Sequence, residues 1–155
     1  MEREKILVSA CLLGIPCRYD GRSMPCDNVI ALADKYDLIP VCPEIYGGLP
    51  TPRTPSERVG ERVIMKDGTD VTENYARGAR AAEQLCGLFG VRVAILKEKS
   101  PSCGCGRIYD GSFSGTLTDG DGVTAELLRK RGICILGESE TDRLGGALYD
   151  GSEGI

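Results

Sequence analysis

Four short apolar runs, each bounded by turn-forming residues, decide what this 155-residue chain can become. "KILVSAC" (5–11), "VRVAILK" (91–97) and "ICIL" (133–136) are continuous rather than alternating, as strands covered on both faces are. "LIPVCPE" (38–44) adds a fourth strand, and its Pro40, which cannot donate to a ladder, places it at an edge or puts the proline early in the strand. Segments of helical period lie between them. Asp27 is placed to cap "NVIALADKYD", with Val29, Ile30, Leu32 and Ala33 on its apolar side. Thr72 is placed to cap a helix over 73–89, with Ala79, Ala82, Leu85, Cys86 and Phe89 on one face and Gly90 as its stop. Asp121 is placed to cap "GVTAELLRKR", which Gly132 ends.

Such alternation predicts an α/β fold, a single three-layer domain with a mainly parallel, Rossmann-like sheet. About four main strands are expected, in the order 2-1-3-4, and the length suits one domain. "ERVIMKDGTDVT", with Asp67–Gly68 at its turn, adds a small side hairpin at 62–71. Two stretches, 43–61 and 98–121, read as long irregular loops, which in a compact domain are usually functional. The domain is expected to occupy 1–137, followed by a polar tail over 138–155 that forms a short helix or frays.

The cysteines give this fold a chemistry. Eight of them, in a chain with no signal-peptide pattern and no membrane-length apolar run, point to a cytoplasmic protein whose thiols stay reduced. Histidine is absent, which removes Ser–His and Cys–His nucleophile pairs, His-ligated zinc and His-held haem. A net charge of −4 argues against an extensive nucleic-acid surface. In an open parallel sheet, ligands bind beyond the carboxyl ends of the strands. Cys11 ends the first strand, Cys42 ends the second, and Cys103 lies on the bend "SPSCGCG" beyond the third. Three strand ends thus deliver a thiol to one rim. Cys17 and Cys105 end no strand and rank below these as alternative ligands. Cys86 and Cys134 read as small buried hydrophobes, and Cys26 as a loop residue beside a helix start. Three thiolates suit either zinc or an iron–sulfur cluster. Ligands brought together by the fold, rather than by a short knuckle, fit a cluster better, but spacing does not settle the metal.

The motifs "SACLLGIPCRYDG" (9–21), "VCPEIYGGLPTPRTPSE" (41–57), "KEKSPSCG" (97–104) and "IYDGSFSG" (108–115) resemble the domain-of-unknown-function family that includes bacterial thiouracil desulfurase. The resemblance runs from Ser9 to about Leu136. It implies a 4Fe–4S cluster with three cysteine ligands, mapped onto Cys11, Cys42 and Cys103, and one open iron. Such a cluster would be labile in air, and iron–sulfur assembly machinery would supply it. The implied substrate is a thiolated pyrimidine, as base, nucleoside or nucleotide. Its thiocarbonyl becomes a carbonyl by non-redox hydrolysis, and the sulfur leaves onto the open iron.

The family's carboxylate position falls on Glu44, and its serine position on Ser100 or Ser102. Glu44, two residues past a ligand, is placed to deprotonate water, although a surface carboxylate or loop ion pair is the plainer reading. Either serine is a candidate to hydrogen-bond the ring or relay a proton, while Ser–Pro favours turns in any case. Arg18, Asp20 and Arg53 sit in the same loops, where they either order the loops by ion pairing or bind substrate. The competing functional classes are a non-catalytic iron–sulfur or persulfide sensor or carrier, which has no need of Glu44, and a Cys-ligated zinc protein.

Overall fold

The computed structural model describes residues 2–153. Strand β1 (Lys5–Ser9) ends earlier than the apolar run does, because Ala10–Leu13 turn into a 3-10 helix closed by Gly14 at φ +94°. Helix α1 (Asp27–Ile30) follows, capped by Cys26 rather than Asp27, and passes into a second 3-10 turn, Ala31–Asp34. That change of period breaks the expected apolar side. Only Val29 is buried, whereas Ile30 and Ala33 face outward.

Strand β2 (Asp37–Val41) pairs in parallel with β1 and forms one edge of the main sheet, so Pro40 interrupts no central ladder. The stretch expected to be irregular holds two elements. Helix α2 (Pro43–Tyr46) is a single turn, and β3 (Ser56–Val59) pairs antiparallel with β4 (Arg62–Met65). The side hairpin therefore begins one strand earlier than expected and reverses at Gly60. The turn at Asp67–Gly68 adds only an isolated bridge between Ile64 and Asp70. β3 was illegible because its inward residue is charged. Glu57 is 9% exposed, and its Oε1 accepts the Gly111 and Phe113 amides at 2.9 and 3.1 Å.

Helix α3 (Thr72–Phe89) buries Tyr75, Gly78, Ala79, Ala82 and Cys86 and stops at Gly90 in the left-handed conformation. Its last turn is exposed, Phe89 included. Strand β5 (Val93–Leu96) is buried at every position. The second expected loop contains a small hairpin, β6 (Arg107–Tyr109) with β7 (Leu117–Asp119), whose three-residue strands are too short to show a period. Helix α4 (Val123–Lys130) is capped by Gly122, not Asp121. Strand β8 (Cys134–Gly137) forms the other edge, and Cys134, at its exposed start, is surface rather than core.

The sheet order is β2-β1-β5-β8, all parallel, which is the expected 2-1-3-4 arrangement of main strands. Ile6, Val8, Val93 and Ile95 face Val29 of α1 and Leu144 of α5 (Leu144–Glu153), which follows a 3-10 segment, Glu138–Arg143. Leu7, Ala94 and Leu96 point the other way, onto Ala82 and Cys86 of α3 and Ala125 and Leu128 of α4. Three layers result. Most of the expected tail is thus helical, with Leu144 in the core; its residues 154 and 155 lie outside the described residues.

Candidate functional site

The carboxyl ends of β1, β2 and β5 open into a cavity of about 320 Å³. Cys11, Cys42 and Cys103 all line it, together with Cys17, Glu44 and Ser100. Each thiol arrives by a distinct local device. Cys11 sits on the 3-10 turn that follows β1. Cys42 is the residue between β2 and α2, with Pro43 fixing the first helical position after it. Cys103 is carried by a bend that Ser100 ties down, its Oγ accepting the Ser102 and Cys103 amides at 3.1 and 3.0 Å. The same bend leans on the start of α4, whose Thr124 amide donates to the Ser102 carbonyl at 2.9 Å.

Cys17 belongs to this set, which sequence spacing did not show. The loop after Gly14 folds back, with the Met24 amide on the Cys11 carbonyl at 3.0 Å, and leaves Cys17 only 4% exposed. The Cys42 thiol donates to the Cys17 carbonyl at 3.7 Å. Cys105, the other alternative, lies outside the cavity beside the Arg129 guanidinium. Cys26 caps α1 and packs against the core cluster that includes Cys11 and Cys17, but it does not line the cavity.

Three of these thiols, Cys17, Cys42 and Cys103, are held protonated. The hydrogen bond with Cys11, and burial, push Cys17 up to about 11. The hydrogen bond with Cys17, then burial, raise Cys42, and burial pushes Cys103 up to about 12. Metal binding would expel their protons. All four thiols are free, and among the described residues no three Cys, Asp or Glu side chains converge as they would on one metal ion. The thiols line one cavity, and their soft donor chemistry suits zinc or an iron–sulfur cluster.

Glu44 follows Cys42 by two residues, and its carboxylate is 17% exposed. Oε1 accepts from Tyr75 Oη at 2.9 Å and from Arg53 Nε at 3.0 Å. Arg53 is nearly buried and its remaining nitrogens are also engaged, Nη2 with the Cys17 carbonyl at 3.0 Å and Nη1 with Pro50 O and Thr51 Oγ1. It therefore knits the Cys17 loop, the 50–53 turn and Glu44 together. Arg18 is half-buried at the rim, over the Tyr19 ring at 5.7 Å. Asp20 stays outside the cavity and orders the 18–22 turn, accepting the Arg22 amide at 3.0 Å.

The serines separate. Ser100 lines the cavity, whereas Ser102 is fully buried behind it, its hydroxyl 2.9 Å from that of Thr124. Rim residues that the sequence did not single out are Tyr19, Met24, Lys99 and Tyr109. Lys99 is held at φ +71°, a costly conformation for a residue with a Cβ. No sequence signal marks Tyr75, which reads as one more apolar position on α3.

A family model described as 2-thiouracil desulfurase matches residues 6–140. The Bacillus subtilis (strain 168) protein YbbK, itself described as uncharacterized, is 41% identical over 145 residues, spanning 87% of this chain and 96% of its own length. A solved structure described as the 4Fe–4S-dependent thiouracil desulfidase TudS superposes with a TM-score of 0.89. It is 50% identical, and the match covers 95% of this chain and 99% of that one.

Proposed function

This chain belongs to the 2-thiouracil desulfurase family, and from that membership and the thiol-lined cavity we infer a 4Fe–4S-dependent desulfurase of thiolated pyrimidines. The observation that carries the reading is the meeting of Cys11, Cys42 and Cys103, from three separate strand ends, on one cavity with Glu44. These three are the cluster's ligands, and their donor chemistry fits it. Soft thiolates suit iron, and three ligands for four irons would leave one metal corner without a protein ligand, while Cys17, the fourth thiol of the cavity, takes the Cys42 thiol and Arg53 on its carbonyl. A cluster held by Cys11, Cys42 and Cys103 would supply a sulfur-binding Lewis acid for the thiocarbonyl.

The protein supplies the rest. Water replaces sulfur at the ring carbon, so one C=S and one H₂O become one C=O and one H₂S, with no electrons exchanged. Glu44 takes the proton from that water through Oε2, the oxygen its two hydrogen bonds leave free. Ser100, held in the Cys103 turn, is a cavity-lining hydroxyl that can reach the ring. Arg18 and Lys99 set the rim's charge. Arg53, with no nitrogen to spare, orders the loops that close the site.

No helix among the described residues is long and apolar enough to cross a membrane. Eight free cysteines fit a reducing cytoplasm, where assembly machinery can load the cluster. The test is anaerobic reconstitution with iron and sulfide quantitation, followed by turnover of thiouracil without reductant. Equal yields of uracil and sulfide are expected. A loaded protein that releases neither from any thiolated base, nucleoside or nucleotide would make it a sensor or carrier instead.

A further inference from the structure

The short helix that bears Glu44 is seated on α3 more closely than side chains allow. At Gly78 a Cβ would lie 1.9 Å from the Pro43 carbonyl oxygen, and at Gly47 a Cβ would lie 2.0 Å from the Asn74 carbonyl oxygen. Asn74 Nδ2 adds a hydrogen bond to the Gly47 carbonyl at 2.9 Å. Backbone thus touches backbone at both ends of α2, and a single face of α3, Asn74, Tyr75 and Gly78, makes the contacts. Tyr75 lies between the two, 1% exposed, with its ring packed among Leu49, Val63 and Val71. Of its side chain only the hydroxyl is polar, and it donates to Glu44 Oε1.

We propose that Tyr75 is a positioning residue for the desulfuration, fixing Glu44 through Oε1 so that Oε2 faces the cavity. This rests on the reading of Glu44 as the base. A carboxylate on a freely turning side chain offers either oxygen in many directions; two donors on one oxygen select a single rotamer and leave the other oxygen's lone pairs for the reacting water. Among the described residues no donor hydrogen-bonds Oε2, since both bonds to the carboxylate end on Oε1. The phenol suits the task, because burial and the neighbouring carboxylate hold its proton firmly in place, keeping it a donor. Arg53 alone would leave the carboxylate free to swing about one contact, since its guanidinium is tied to the 50–53 turn and the Cys17 loop, not to α3.

Tyr75→Phe keeps the ring and removes only the donor. In anaerobically loaded protein, iron and sulfide content and the KM for thiouracil should match wild type, while kcat falls by about 10- to 100-fold, the scale of a misaligned reacting group. In the Glu44→Gln background the same change should cause no further loss, since Tyr75 acts only through the carboxylate. A kcat within twofold of wild type, or an equal loss in both backgrounds, would overturn the proposal. A second measurement needs no turnover: a double-mutant cycle of Tyr75→Phe and Glu44→Ala by urea unfolding of the cluster-free protein. A coupling of about tenfold or more in the unfolding constant is expected for a hydrogen bond to a charged group. Coupling near unity would refute the contact itself, whereas an inert wild type with strong coupling would refute only the functional reading.

Discussion

Adding one methyl group at Gly78 should disable the site without touching it. The alanine Cβ would stand 1.9 Å from Pro43 O and 2.6 Å from Pro43 C, where ordinary contact begins near 3.4 Å. The obstacle is backbone, so no rotamer change relieves it, and α2 must move away from α3 by about 1.5 Å, the difference between the two distances. Overpacking of this kind costs about 3 kcal/mol at its upper end, and alanine's better helix propensity returns about 1, for a net loss of roughly 2 kcal/mol. In a domain of this size that lowers Tm by about 4–8 °C. Cys42 and Glu44 ride on the displaced segment, so kcat per loaded cluster should fall about 10²-fold, as a 1 Å misplacement of a reacting group does.

Gly87→Ala on the same helix is the control. Nothing lies within 4 Å of its Cβ, so only the propensity gain remains, a Tm rise of about 2–4 °C with activity unchanged. The assay is calorimetry of both variants beside cluster-normalised thiouracil turnover. A Gly78→Ala protein as stable and active as wild type would show that α3 does not hold α2 in place.

Replacing Cys11, Cys42 or Cys103 with Ser should each abolish cluster reconstitution, measured as iron and acid-labile sulfide, whereas Cys86→Ala and Cys134→Ala should retain it; a full cluster in Cys103→Ser would break the ligand assignment. Ser100→Ala removes the acceptor that orders the Cys103 turn and should lower cluster retention, while Ser102→Ala leaves the buried Thr124 hydroxyl without its partner, costing about 1–3 kcal/mol by urea unfolding but sparing turnover per cluster. Burial raises the Cys86 thiol from 9.0 to about 11, so the unfolded chain ionises first; its contribution to stability should hold below pH 9 and decline from pH 9 towards 11. Urea midpoints against pH should therefore fall less steeply there in Cys86→Ala than in wild type.

What could be read from the sequence follows burial. Strands covered on both faces, such as β1 and β5, announce themselves as continuous apolar runs, and Pro40 leaves β2 either an edge strand or one with an early proline, of which the edge is what forms. Their order and carboxyl ends are enough to bring Cys11, Cys42 and Cys103 to one rim, where the cavity lies. Elements without such a pattern stayed hidden. β3 turns a charged Glu57 inward because two loop amides need an acceptor, and β6 and β7 are too short to show alternation. Cys134 looked buried because it begins an apolar run, yet it starts an edge strand and faces out. The site's supports were least visible, since each depends on contacts distant in sequence. The return of Cys17 rests on the loop folding back over Cys11, and Tyr75 meets Glu44 across 31 residues of chain.

The most direct test of the account is single-turnover loss of thiouracil absorbance in Glu44→Gln and wild-type protein loaded to equal cluster content. Gln offers the same Oε1 acceptor to Tyr75 and Arg53 but replaces the free Oε2 with an amide that cannot take a proton. The cluster and thiouracil binding should survive, while turnover falls by roughly 10² to 10⁴, the usual contribution of a positioned general base. Turnover close to wild type in the loaded Glu44→Gln protein would contradict the account, because the oxygen it assigns to the water's proton would have been removed without consequence.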